Sequence, residues 1–131
     1  MNSANNDGSN VETIIDSGIS NPEGFAIDWM SGNMYFSSFA NGGNRASISV
    51  AKLNGAYRAE VISTGLTKPN SLVVFPSEGL MFWSEVGNTS NQAIYRSKMD
   101  GTEITAIVQN LNMPASLKLD SKTKTLYWVN R

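Results

Sequence analysis

Short runs of alternating apolar and polar residues are the main local signal along this chain. Such runs predict half-buried β-strands, because successive side chains of a strand point to opposite faces of its sheet. The runs fall into two groups of four. The first group is Phe25–Asp28, Asn33–Ser38, Ala46–Leu53 and Ala59–Ser63, and the second is Ser71–Phe75, Leu80–Val86, Ala93–Met99 and Ile104–Gln109. No segment has a sustained 3.6-residue periodicity, so we expect almost no helix.

The two groups are copies of one repeating unit. Residues 21–28, 68–75 and 113–120 align without gaps, each with a proline at its second position. These prolines, at positions 22, 69 and 114, are 47 and then 45 residues apart. Each segment is followed by a strand that carries an aromatic pair: Tyr35-Phe36, Phe82-Trp83 or Tyr127-Trp128.

A second marker keeps nearly the same spacing. Asn54-Gly55 and Asp100-Gly101 follow the third strand of each unit, and Asn6-Asp7-Gly8 resembles them as the remnant of an earlier unit. Asn-Gly and Asp-Gly tolerate the positive φ of tight hairpins, so they predict a turn between the third and fourth strands. Four strands in a repeat of about 46 residues are typical of a β-propeller blade. The prediction is an all-β fold, a β-propeller segment of about 2.5 to 3 four-stranded blades.

Composition removes several classes of function. The chain has 131 residues and a net charge of −1, and it contains no Cys and no His. It therefore has no disulfide, no thiol nucleophile and no Ser-His-Asp triad. Its 10 basic residues are scattered, whereas binding to nucleic acid needs clustered positive charge. Its apolar runs are far shorter than the roughly 20 residues of a transmembrane helix, and residues 1–10 do not resemble a secretory signal.

The order of these markers resembles the low-density lipoprotein receptor class B repeat, which is also named for its Tyr-Trp-Thr-Asp motif. The resemblance runs from about Glu12 to Arg131 and is closest to the large endocytic low-density lipoprotein receptor-related proteins. It implies a partial six-bladed propeller in the extracellular part of a single-pass cell-surface membrane receptor. It also implies protein ligands, neighbouring EGF-like modules and no direct contact with the membrane. The signal and transmembrane segments of such a receptor would lie outside this chain.

On that resemblance the chain divides into a polar N-terminal lead-in at 1–10 and a partial propeller at 11–131. The propeller part comprises a blade tail at 11–17, full blades at 21–63 and 68–110, and the first half of a further blade at 113–131. Such a piece has two sheet faces without a neighbour, which is an aggregation hazard. A homodimer that completes the ring is one way to cover them.

The motif itself is kept in part. The aromatic pair is present in all three units, as expected for rings that pack between blades. The Thr-Asp half reads Ser37-Ser38, Ser84-Glu85 and Val129-Asn130, which leaves open whether its polar contacts are kept. Receptors of this family are thought to release ligands in acid through propeller histidines, and this segment has none to contribute.

The candidate ligand-binding residues lie on the top face, which binds proteins in related receptors. Glu23, Asn70 and Ala115 share one repeat position there. Glu23 and Asn70 could bind the backbone of a partner or a cation, or they could be exposed polar residues of a turn. Phe39 is either an interface residue or packed at the blade edge. Asn88 begins the only Asn-X-Ser/Thr sequence, so it is a candidate for glycosylation.

A second hypothesis is a calcium-dependent, lactonase-type hydrolase. Propellers of that kind also hold Glu and Asn near the channel, and oxygen ligands suit Ca²⁺. Glu23 and Asn70 would supply oxygens, but the third equivalent residue, Ala115, cannot bind a metal. We therefore expect a non-catalytic segment with no catalytic residues, no metal site and no cofactor.

Overall fold

The computed structural model describes residues 1–40, 45–87 and 92–131. In these residues the chain forms twelve strands and one short 3-10 turn, at Pro76–Glu78. No helix in this part of the chain is long and apolar enough to cross a membrane. The strands are β1 Asn2–Ser3, β2 Glu12–Thr13, β3 Phe25–Asp28, β4 Asn33–Phe39, β5 Ala46–Lys52, β6 Ala59–Ile62, β7 Pro69–Phe75, β8 Leu80–Glu85, β9 Ala93–Lys98, β10 Thr105–Val108, β11 Pro114–Asp120 and β12 Thr125–Asn130.

The strands build two complete four-stranded sheets, flanked by two half-sheets. β3-β4-β5-β6 and β7-β8-β9-β10 are antiparallel meanders in chain order, whereas β1-β2 and β11-β12 contain two strands each. The predicted all-β fold, with four strands in each repeat, is confirmed. The first strands of the second and third repeats begin at Pro69 and Pro114, at a position where a residue without an N–H is tolerated.

The hairpin between the third and fourth strands has the same geometry in each repeat. Gly8, Gly55 and Gly101 have φ values of 84°, 84° and 85°, a conformation that a side chain would disfavour. The Asp or Asn before each glycine accepts a hydrogen bond from the backbone N–H two residues ahead, at 2.9, 3.0 and 2.9 Å respectively. The turns predicted at positions 54–55 and 100–101 are confirmed. The turn at positions 6–8 is the same hairpin from an earlier blade.

The N-terminal residues differ from the expected lead-in, because they already form part of a blade. β1 and β2 pair in the same register as β5 and β6 one repeat later, so they are the third and fourth strands of a preceding blade. An apolar contact with the first complete sheet holds them in place. Its members are Met1, Ile14, Ile15, Ile19, Met34, Phe36 and Ala51.

The core lies between neighbouring sheets. β7 lies between β3 and β11, so the first strands of the three repeats are neighbours, as in blades arranged about an axis. One cluster of buried residues joins the two complete sheets: Tyr35, Ile48, Ile62, Leu72, Val74, Met81 and Trp83. A second cluster joins the second complete sheet to the half-sheet that follows it: Phe75, Phe82, Ile94 and Leu117.

The aromatic pair of each complete blade divides its two rings between these interfaces. Tyr35 packs against the following sheet, whereas Phe36 packs against the preceding half-sheet. Phe82 and Trp83 repeat that division one blade later. Adjacent residues of a strand point to opposite faces, so one aromatic pair serves two interfaces. The predicted packing of the rings between blades is confirmed for the two complete blades and for Trp128, whereas Tyr127 is 59% exposed.

The polar half of the motif keeps its contacts in the two complete blades. Ser37 Oγ accepts the backbone N–H of Gly24 at 2.7 Å and donates to the carbonyl oxygen of Pro69, in the next sheet, at 3.1 Å. Ser84 Oγ accepts a backbone N–H from its own sheet in the same way, at 3.1 Å. A serine hydroxyl thus makes polar contacts at the threonine position of the motif.

Gly24 has no side chain because the next blade lies against it. A Cβ on this residue would lie 2.2 Å from the carbonyl oxygen of Asn70 and 2.8 Å from Ser37 Oγ. Real Cβ atoms do not approach backbone oxygens so closely, so any larger residue here would push the two sheets apart. The entry into β3 is therefore fixed against the entry into β7.

Candidate ligand-binding rim

The predicted binding residues lie where the chain enters the first strands of the two complete sheets. Glu23 precedes β3, Asn70 is the second residue of β7, and Phe39 ends the strand next to β3. We call the set Asn21, Glu23, Phe39, Lys68 and Asn70 the rim. Its members come from two blades, so its shape depends on how those blades pack.

Glu23 and Asn70 contact each other across the boundary between the sheets. Asn70 Nδ2 donates to Glu23 Oε2 at 3.0 Å. Ser71 Oγ donates to Asn70 Oδ1 at 3.3 Å, and this second bond orients the amide. Glu23 is exposed, and its other oxygen, Oε1, accepts no hydrogen bond from the described residues. The pair therefore presents a carboxylate oxygen of fixed position to the solvent.

Phe39 is half-buried and carries a cation above its ring. Lys68 Nζ lies 5.1 Å from the ring centroid, within the range of a cation–π contact. The backbone of Phe39 is held as well, because its N–H donates to the Ser20 carbonyl at 3.1 Å and its carbonyl accepts from Asn21 Nδ2 at 3.0 Å. The ring packs at the edge of the blade and still reaches the surface, and its role in binding stays a prediction.

The third repeat does not extend the rim. Ala115 is only 2% exposed and pairs with Val129 of β12. The methyl group of Ala115 has no polar atom, and Ala115 is buried whereas the equivalent Glu23 is exposed. The shared repeat position therefore brings the predicted residues Glu23 and Asn70 together, whereas the third residue at that position, Ala115, is buried.

Glu85 is a buried carboxylate that our sequence analysis did not single out. It stands at the Asp position of the motif and is 5% exposed. Its Oε1 accepts the Thr67 hydroxyl at 2.8 Å and the backbone N–H groups of Lys68 and Gly87. A buried charge requires such donors. Glu85 thereby fixes the segment that enters β7 and positions the rim, and the acidic residue at a motif position was the available signal.

Two buried polar atoms beside the rim have no hydrogen-bond partner among the described residues. They are Trp83 Nε1 and Glu85 Oε2. Both residues line a cavity of about 60 Å³, and the Trp83 ring stacks on Tyr95 with centroids 5.5 Å apart. Trp83 Nε1 is a hydrogen-bond donor and Glu85 Oε2 is an acceptor.

The rim offers binding groups of both signs, a carboxylate from Glu23 and an ammonium from Lys68.

Across residues 1–40, 45–87 and 92–131, no three His, Cys, Asp or Glu side chains come together in a group that could hold a metal ion. The predicted glycosylation residue, Asn88, lies outside the described residues.

Comparison with known proteins supplies relatives for this arrangement. The family description "Low-density lipoprotein receptor repeat class B" matches residues 32–76. The chain is 37% identical over 128 residues to Vitellogenin receptor Yl of Drosophila melanogaster, a match that covers 97% of this chain and 6% of the relative. It is 30% identical over 120 residues to the Vitellogenin receptor of Solenopsis invicta, with 91% and 6% covered.

Two further relatives are matched over a larger share of their length. The chain is 28% identical over 123 residues to Low-density lipoprotein receptor-related protein 5-like protein of Homo sapiens, covering 93% of this chain and 46% of that protein. The crystal structure of the nidogen/laminin complex contains a chain with a TM-score of 0.88 and 32% identity, with 98% of this chain and 48% of that chain covered. The chain thus spans less than half the length of each of these relatives.

Proposed function

This chain is a segment of a β-propeller built from low-density lipoprotein receptor class B repeats, and on that premise we propose that it is a non-catalytic, protein-binding and structural part of an endocytic receptor. In this proposal the segment lies in the extracellular region of a single-pass receptor, next to EGF-like modules. Support comes from two relatives that are named as vitellogenin receptors and match this chain over more than nine-tenths of its length. The activity of the whole receptor is part of the proposal, since this chain covers a small part of those relatives.

The observation that carries the proposal is the exposed bond between Glu23 and Asn70. Equivalent residues of two adjacent blades meet at 3.0 Å and leave one carboxylate oxygen free for a donor from a partner. Lys68, held over Phe39 at 5.1 Å, adds a cation two residues from Asn70. A carboxylate and an ammonium group on one surface fit the backbone amides and charged side chains of a protein partner.

The buried Ala115, which has no polar side-chain atom, argues against the hydrolase alternative. A calcium-dependent propeller enzyme needs several oxygen ligands for its ion. The equivalent positions of this segment supply two oxygen-bearing side chains, which bond to each other, and one buried methyl group. Nothing else at the rim favours a hydrolytic reaction, so the binding role is the better conclusion.

We also propose that Asn88 is glycosylated when the chain is made in a secretory pathway, because its Asn-X-Thr/Ser sequence is intact. Peptide mass spectrometry of the protein secreted from insect or mammalian cells would detect the modification. An unmodified Asn88 in all secreted protein would contradict it.

Binding to purified vitellogenin tests the role of the rim. We expect the 131-residue chain to bind immobilised vitellogenin. We expect Glu23→Ala to raise the dissociation constant about tenfold, the usual effect of losing a hydrogen bond to a charged group. Glu103→Ala, which removes an exposed carboxylate paired with Lys98 in the β9–β10 hairpin, is the matched control and should have no effect.

Two outcomes would count against the proposal. If the wild-type chain does not bind vitellogenin, this segment is not part of the ligand-binding surface for that protein. If Glu23→Ala and Glu103→Ala bind as the wild type does, the rim is not the binding site.

A further inference from the structure

A polar cavity lies between the first complete sheet and the segment that leads into it. Its volume is about 400 Å³, and all the residues that line it fall between Gly18 and Glu60. Two of them, Arg45 and Arg58, carry guanidinium groups, and Glu60 carries a carboxylate. Three serines add hydroxyl groups: Ser20, Ser38 and Ser47. We call this place the arginine cavity.

The second complete blade has a cavity at the equivalent place, with a different chemistry. It is the cavity of about 60 Å³ beside Trp83. Ser38 stands at the repeat position of Glu85, and Arg58 stands at that of Ile104. No Lys or Arg is among the described residues that line this second cavity. The two cations are therefore a property of the first complete blade and not a requirement of blade packing.

The equivalent cavity also shows which parts of a propeller form such a place. It is lined by residues of its own blade and by Thr64, Gly65 and Leu66, which connect that blade to the preceding one. Among the described residues, none from the preceding strands β3 and β4 lines it. The counterparts of residues 64–66 are residues 17–19, which this chain contains. The arginine cavity is thus formed within residues 17–60, whatever precedes or follows this segment.

Arg58 is a fixed cation in the arginine cavity. Its guanidinium donates to the carbonyl oxygens of Ser17, at 3.2 Å, and of Gly18, and it lies 5.3 Å from the centroid of the Phe36 ring. No carboxylate of the described residues lies within 4.0 Å of Arg58, and residues 41–44 include no acidic side chain. The partners of this charge in the described chain are therefore neutral groups.

Arg45 is paired through only one of its nitrogens. Arg45 Nη2 donates to the two carboxylate oxygens of Glu60 at 2.9 and 3.1 Å. Its Nη1 and Nε have no hydrogen-bond partner among the described residues. A guanidinium has five N–H donors in one plane, so Arg45 can bind a second carboxylate beside Glu60. The hydroxyls of Ser38 and Ser47 lie 3.3 Å apart, and when one donates to the other, the second keeps its own proton for a ligand.

We propose that the arginine cavity binds a carboxylate side chain from an acidic segment of a protein partner, an inference that rests on the protein-binding function proposed above. Two guanidinium groups and one carboxylate give the cavity a net positive charge. Guanidinium donors match the planar geometry of a carboxylate, and the serine hydroxyls add neutral donors. Phe39 lines the cavity and also belongs to the rim, so one partner can contact both places on the same surface.

Calorimetric titration with a capped hexaglutamate peptide tests this site. We expect the wild-type chain to bind the peptide. Glu60→Gln should bind it about tenfold more tightly, because the competing carboxylate is lost and Arg45 Nη2 gains a free hydrogen bond to a charged ligand. Glu103→Gln makes the same change of net charge at an exposed ion pair with Lys98, so it is the matched control and should bind as the wild type does.

Removing a cation should have the opposite effect. Arg45→Gln, at a side chain that is 71% exposed, should bind the peptide about tenfold more weakly. Arg96→Gln, at an exposed residue of β9, removes the same charge elsewhere and should have no effect. Arg58→Gln should also weaken binding. Because Arg58 holds residues 17 and 18 as well, the Arg45 and Glu60 variants decide the test if circular dichroism shows that Arg58→Gln is unfolded.

Nuclear magnetic resonance shows where the peptide binds. The peptide should shift the amide signals of Ser38 and Ser47, which pair across β4 and β5, and leave those of the equivalent pair, Glu85 and Ala93, unchanged. Inorganic phosphate at the same ionic strength is the second arm.

Three outcomes would overturn the proposal. They are binding of phosphate but not of the peptide, no binding of the peptide, and a Glu60→Gln chain that binds no more tightly than Glu103→Gln. The titration contains no vitellogenin, so a failure here and a failure of the vitellogenin assay are separate results.

Discussion

Tyr35 and Tyr127 are the same residue at the same position of two repeats, and their surroundings are opposite. Tyr35 is 6% exposed and packs in the core between the two complete sheets, whereas Tyr127 is 59% exposed. Each lies in the second strand of its own sheet. The difference lies in the following blade, which the described residues supply for Tyr35 and do not supply for Tyr127. Burial of the motif aromatic is thus a property of the interface and not of the sheet that carries it.

The polar half of the motif shows the same contrast. Ser37 is fully buried, and its hydroxyl joins Gly24 of its own blade to Pro69 of the next. The equivalent Val129 is 53% exposed and has no polar group. The Ser37 hydroxyl thus joins two neighbouring blades, whereas Val129 has no polar group that could do so. Substitutions at these equivalent positions separate the effect of the repeat position from the effect of the neighbouring blade.

The largest effect is expected from removing the two tyrosine rings. Tyr35→Ala should lower the free energy of unfolding by about 3 kcal/mol or more, because it opens a cavity between the sheets. Tyr127→Ala should lower it by less than about 0.5 kcal/mol, since an exposed ring has little packing to lose. Urea denaturation followed by tryptophan fluorescence measures both, at a concentration where light scattering gives the mass of one copy. Equal losses in the two variants would show that each sheet stabilises its own tyrosine.

A smaller effect is expected from exchanging the residues at positions 37 and 129. Ser37→Val should cost about 1 to 3 kcal/mol, because the buried N–H of Gly24 loses its acceptor. Val129→Ser should change stability by less than about 0.5 kcal/mol. Ser37→Thr keeps the hydroxyl and should lose less than Ser37→Val. If Ser37→Val is as stable as the wild type, the hydroxyl does not hold the blades together.

Much of the blade architecture could be predicted from the sequence because local signals mark it. Asn54-Gly55 and Asp100-Gly101 predict hairpins that require a positive φ, and both form at φ values of 84° and 85°. The alternating strands around them were predicted within a few residues. β1 could not be predicted, since the strand is only two residues long and both residues, Asn2 and Ser3, are polar. Its place depends on pairing with β2 and on apolar residues further along the chain.

The candidate site was predicted less completely, because it forms between blades. A shared repeat position was enough to place Glu23 and Asn70 on one face, and they bond directly. The cation of Lys68 above Phe39 joins residues 29 positions apart in sequence, and no local pattern marks such a contact. Ala115 occupies the same repeat position and is buried, which shows that the repeat predicts location more reliably than exposure.

The smallest effect concerns the ionisation of Tyr35 at alkaline pH. Burial, and next the nearby Asp28 carboxylate, raise the pKa of the Tyr35 hydroxyl above its ordinary value of 10.0. The unfolded chain therefore loses this proton before the folded chain does. The resulting contribution to stability is complete below about pH 10 and falls as pH rises through the folded pKa. Wild-type stability should thus decline more steeply than that of Tyr35→Phe above about pH 10, as measured by urea denaturation at a series of pH values. Both proteins contain the same other ionisable side chains, so parallel curves would show that Tyr35 ionises alike in the folded and unfolded chain.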